Sequence, residues 1–144
     1  MGTAIQIEHE QAVIKAFVSR DKQERFLTFL SKPKTRKRLT QELGCFTWFD
    51  PRFATPVPWK VDPNGGLWQR HIQGIENVHR LLTSKGAGKN CWAISADADL
   101  DGKELELESV LESVFDNDTG TILSCIPGRL GLYSGEDEKL LLVR

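Results

Sequence analysis

No apolar run in this 144-residue chain approaches the roughly 20 residues that span a bilayer, so no transmembrane helix is expected. The opening residues, Met1 to Gln6, lack the basic-then-apolar order of a secretory signal. They begin like a myristoylation site, but Gln6 stands where Ser or Thr is required. Cysteine is scarce and scattered. Cys45, Cys91 and Cys125 are odd in number, form no C-x-x-C pair and sit apart from the histidines, which excludes a sequence-evident zinc site or disulfide framework. Isolated cysteines in apolar surroundings read as reduced thiols, and hence as a cytoplasmic protein. There is also no Gly-rich phosphate loop after a strand, no G-x-S-x-G, no internal repeat and no low-complexity segment, so no cofactor is expected.

What is present is an ordinary globular composition, 40% hydrophobic and 27% charged, which argues against disorder. At this length, residues 1–144 read as one domain with one core. A net charge of −1 conceals an asymmetry. Residues 1–90 carry fifteen Lys and Arg against eight Asp and Glu, and residues 91–144 carry four against twelve. If these charges segregate in space, the basic side has a field suited to anionic partners.

The C-terminal stretch sets the fold class. Residues 121–126 form a short β-branched run, Pro127-Gly128 supplies a turn, and 129–134 resume with Leu130, Leu132 and Ser134 on one face. A second turn at 135–138 leads into the apolar run 140–143. Three such runs predict an antiparallel meander whose bare face must be covered by helices. Upstream, 8–31 lacks Gly and Pro and divides near Asp21, which with Glu24 resembles a capping box. This gives helices at about 8–19 and 22–31, the second ending before Pro33. Thr35 is placed to cap a third helix carrying Leu39 and Leu43. Residues 45–49 and 91–95 read as strands, 67–85 as an amphipathic helix and 106–115 as another. On that helix of 67–85, Trp68, Ile72, Ile75, His79 and Leu82 share one line. The expected architecture is α+β: N-terminal helices packed on one face of a mainly antiparallel sheet of three to five strands, with a C-terminal meander.

Three constellations are candidates for function. The first is Lys32-Pro-Lys34-Thr-Arg36-Lys37-Arg38, which puts cations at a helix start, where the dipole disfavours them and an anion would relieve the cost. Downstream lies the segment 50–66, which holds four of the six prolines together with Arg52, Phe53 and Trp59; loops of this length tend to be functional. With Trp48 these aromatics offer stacking surfaces of the kind single-strand binders use. The second is Asp97-Ala-Asp99-Leu-Asp101-Gly102…Glu108, which satisfies the spacing of a calcium loop. A strand leads into it and no second copy exists, so it reads instead as a strand-to-helix connection with an Asp-Gly turn and splayed carboxylates. The third pairs His79, as a base, with Cys125, as a nucleophile; the residues read instead as a satisfied core histidine and a small buried thiol with no basic neighbour in sequence.

The sequence therefore reads as a non-catalytic binding or regulatory module. Its contact surface would comprise Lys34, Arg36, Lys37, Arg38, Arg52 and Trp59, facing nucleic acid or another protein rather than a membrane. The alternative is an enzyme using His79 with Cys125, or a calcium-binding loop from Asp97 to Glu108.

Overall fold

A computed structural model of the chain describes residues 4–30, 32–42, 48–57, 67–116, 120–135 and 139–144; the side chains of 4–6, 33, 67–73 and 116 lie outside that description. The described elements are α1 (Ala4–Phe17), α2 (Arg20–Leu30), α3 (Pro33–Glu42), β1 (Ala54–Pro56), α4 (Leu67–Ser84), β2 (Asn90–Ser95), β3 (Lys103–Glu106), α5 (Leu107–Asp116), β4 (Thr121–Ile126), β5 (Leu130–Ser134) and β6 (Lys139–Val143). The fold is α+β, and the strands form one antiparallel sheet in the order β1-β6-β5-β4-β2-β3.

The meander forms as its turns and apolar runs dictate. Leu132 pairs with Leu123 on one side and with Leu141 on the other. A bulge between Ser124 and Ile126 shifts the register beside the Pro127-Gly128 turn. Across from it, Gly131 lets two backbones approach closely: a Cβ there would lie 2.8 Å from the carbonyl oxygen of Leu123.

The sheet has six strands rather than three to five, because two short edge strands carry little apolar signal. β1 lies inside the proline-rich segment expected to lack regular structure. Its Pro56 pairs with Leu140 at the sheet margin, where a missing N–H leaves no interior partner unsatisfied. β3 has exposed Lys103, Glu104 and Glu106, the charged dress of an edge. Its presence turns the expected strand-to-helix connection at 97–102 into a β2–β3 hairpin, closed by Gly102 N–H donating to the Ala93 carbonyl at 2.8 Å. Gly102 adopts φ +70° there, which only glycine takes without strain.

Side-chain alternation then distributes the helices. Trp92, Ile94, Ile122, Tyr133, Leu140 and Leu142 pack with α1, α2 and α3. Cys91, Ala93, Leu123, Leu132 and Leu141 pack with α4 and α5. The N-terminal helices do cover one face, and the later two cover the other, so the sheet is sandwiched. On α4 the buried positions are Ile75, Val78 and Leu82, while His79 is only half-buried. The inward line thus runs through Val78, with His79 on its flank; Trp68 and Ile72 have undescribed side chains.

Three N-terminal boundaries differ from expectation. Helix α1 ends at Phe17 and α2 begins at Arg20, so Ser19, not Asp21, precedes the helix. Proline 33 opens α3 instead of merely ending α2, as suits a residue without an N–H at the first helical position. Of the strand expected at 45–49, residues 45–47 lie outside the described residues, and Phe49 makes one isolated bridge to Val18.

Leu82 is fully buried. Leu82→Ala is expected to lower unfolding free energy by about 2–5 kcal/mol in a urea titration, and a loss under about 1 kcal/mol would mean that this face of α4 does not pack as described.

Candidate functional site

The basic run 32–38 is divided by the helix it forms. The Lys32 carbonyl accepts from Thr35 N–H at 3.2 Å and from Arg36 N–H at 3.1 Å, so the helix starts ahead of Thr35. Thr35 is consequently no cap; its hydroxyl donates to the Phe29 carbonyl at 2.8 Å and ties α3 to the end of α2. At about 100° per residue, Lys34, Lys37 and Arg38 share one face of roughly a quarter turn. All three are exposed, while Leu39 and Thr40 on the other side are buried.

Arg36 points the other way. Its Nη1 and Nη2 donate to the two carboxylate oxygens of Glu10 at 2.5 and 2.7 Å. Its Nε and Nη2 donate to Asp101 at 2.9 Å each. Both acids are held further: Trp92 Nε1 donates to Glu10 at 2.8 Å, and Ser95 N–H donates to Asp101 Oδ1 at 3.0 Å. The Glu10 hydrogen bonds, with those of Asp101 behind them, hold the guanidinium pKa above its ordinary value against the opposing effect of burial. Arg36 is therefore a clamp between α1, α3 and the β2–β3 hairpin, and its fork already holds two carboxylates. No local signal reveals this, since Glu10 lies 26 residues away and Asp101 lies 65.

His9 extends the same layer. Its Nε2 lies 2.8 Å from Ser124 Oγ, and its ring lies 5.9 Å from that of Trp92. Burial lowers its pKa, opposed by the charges of Glu10 and Glu104.

The remaining candidates are dispersed. Arg52 is largely exposed, forks onto Asp50 through Nη2 at 2.7 Å and Nε at 3.2 Å, and lies over the Phe53 ring. Trp59 lies outside the described residues, as does the rest of 58–66. In the acidic turn, Asp97 Oδ1 accepts from Asp99 N–H at 2.9 Å, Asp101 faces Arg36, and Glu108 is exposed in the first turn of α5 beyond an intervening strand. Among the described residues, no group of three His, Cys, Asp or Glu is placed to hold a metal ion. His79 and Cys125 are joined by no hydrogen bond among the described residues, and burial pushes the Cys125 thiol up to about 12, far from a thiolate at neutral pH. Among the described residues, no helix is long and apolar enough to cross a membrane.

No protein-family model, no curated protein and no solved structure matches the chain.

Two outcomes follow from the clamp and its neighbour. Arg36→Met strands a nearly buried Glu10 beside Asp101 and should destabilise the fold by about 2–4 kcal/mol in chemical denaturation. That is less than a fully enclosed pair would lose, because Arg36 keeps some solvent contact. The lowered pKa of His9 means that the unfolded chain binds its proton first. Its contribution to stability is present above pH 6.5 and is lost as pH falls from there through the folded-state value. Melting temperature measured from pH 7.5 to 5 should fall less steeply in His9→Gln than in the wild type.

Proposed function

We propose that the protein is a non-catalytic cytoplasmic binding module that engages an anionic polymer, single-stranded nucleic acid in the first instance, through the solvent face of α3. The observation that carries this reading is the triplet Lys34, Lys37 and Arg38. These three exposed cations share one helix face, and none pairs with a carboxylate among the described residues. Like charges at i, i+3 and i, i+4 repel by a few tenths of a kcal/mol per pair, and for Lys34 the first turn of the helix adds to that cost. A row of phosphates would remove both penalties and release counterions. Arg52 and the segment around Trp59 are the proposed extension of this contact, with Trp59 as a stacking side chain. The free thiols Cys91 and Cys125 support a reducing compartment.

The test is the triple substitution Lys34→Gln, Lys37→Gln and Arg38→Gln. Affinity for an oligonucleotide, measured by fluorescence anisotropy at two salt concentrations, should fall, and its dependence on salt should become shallower by about two to three counterions. The melting temperature should rise slightly as repulsion on the helix is relieved. Wild-type protein that binds neither single-stranded DNA nor RNA at low salt would sink the nucleic-acid reading.

A further inference from the structure

A second concentration of positive charge shares no residue with the α3 run. Lys15 in the last turn of α1, Arg20 at the start of α2, Arg52 and Arg144 line one pocket of 220 Å³, in which Asp50 is the one acidic side chain. These five side chains come from three separate stretches of the sequence, 15–20, 50–52 and 144, and of them only Arg52 is among the contact residues expected from the sequence.

The pocket is built rather than incidental. The guanidinium groups of Arg52 and Arg144 both lie over the Phe53 ring, at 5.0 and 4.6 Å from its centre. Arg144 also donates through Nη1 to the Ala16 carbonyl at 3.2 Å, at the C-terminal end of α1, where a cation is welcome. Asp50 is held in ionised form by the fork and backbone N–H of Arg52, so its charge is already answered. Lys15 and Arg20, by contrast, form no ion pair among the described residues. The pocket thus combines two arginines fixed by an aromatic ring with two uncommitted cations, and its side chains carry an excess of three positive charges. One phosphate monoester supplies only about 1.5 to 2 negative charges at neutral pH. The charge excess and the volume both suit two linked phosphoryl groups, and the planar guanidinium of Arg20, which forms no ion pair among the described residues, matches their oxygens.

We infer that this pocket is a binding site for a diphosphate group, either as free pyrophosphate or carried on a nucleoside. It uses none of Lys34, Lys37 and Arg38, and shares only Arg52 with the contact proposed above. The test is calorimetric titration of the 144-residue chain at low ionic strength with inorganic phosphate, pyrophosphate and ADP. Pyrophosphate should bind at least about tenfold more tightly than phosphate. The double substitution Lys15→Gln and Arg20→Gln removes two exposed cations whose side chains make no ion pair among the described residues. It should weaken pyrophosphate binding by about tenfold or more per charge, with an unchanged melting temperature. ADP that binds at least as tightly as pyrophosphate assigns the group to a nucleoside, and weaker ADP binding assigns the free anion; both support the site. The Lys34, Lys37 and Arg38 triple variant should bind pyrophosphate like wild type. The inference is overturned if pyrophosphate does not bind, if phosphate binds equally well, if the double variant retains wild-type affinity, or if the α3 triple variant loses it. Failure here leaves the oligonucleotide experiment on α3 to be judged separately.

Discussion

The central strands are apolar on both of their faces, and the placement of every helix answers to that. In β5 all five residues are buried. In β6, Leu140 and Leu142 look toward α1–α3 while Leu141 looks toward α4 and α5. A sheet of this composition exposes a second oily surface if only one side is covered, at roughly 25 cal/mol for each Å² left in water. The chain avoids this by sending three helices to one side before the sheet begins and threading two more between strands onto the other. Strands that need cover on only one side, or hardly at all, are pushed to the margins. Hence the edges are β1, with its proline, and β3, with its charges.

Across the first of these layers runs a polar seam. Glu10, Arg36, Asp101 and Trp92 come from α1, α3, the hairpin turn and β2, and each fills the hydrogen-bonding capacity of the next. Removing charges from water costs several kcal/mol per ion, and only close geometry with further donors offsets it. The seam meets that condition through the indole N–H on Glu10 and the Ser95 amide on Asp101. It fixes the rotation of α3 about its axis. With Arg36 directed inward, Lys34, Lys37 and Arg38 are necessarily directed outward, so the contact that orients the helix also sets which cations can meet a partner.

The fold also sets some of the charges that nearly cancel in the sequence at opposite margins of the sheet. Arg52 stands beside β1 at one margin of the six-stranded sheet, while Glu104 and Glu106 stand on β3 at the opposite margin. Exposed Glu108 and Glu112 on α5 continue the acidic side, since α5 follows β3 directly.

Local signals were sufficient for the meander, for the extent of α4 and for the separation of the N-terminal helices, because turn residues and side-chain periodicity act over a few positions. They fell short where a neighbour distant in sequence decides. Pro56 forms a strand only because Leu140 lies alongside it, and Lys103–Glu106 only because β2 does. The runs 122–123 and 140–142 are apolar without interruption, and such a run is compatible with cover on one face or two until helices are placed. For the site, the sequence by itself determined that cations cluster at 34–38 and that Asp101 precedes a turn glycine. Tertiary structure alone decided that Arg36 and Asp101 meet, that His9 reaches Ser124 across 115 residues, and that Lys15, Arg20, Arg52 and Arg144 surround one pocket. Charge and hydrogen bonding act across a few ångströms of space, and no pattern of spacing along the chain records which distant residues folding will bring within that reach.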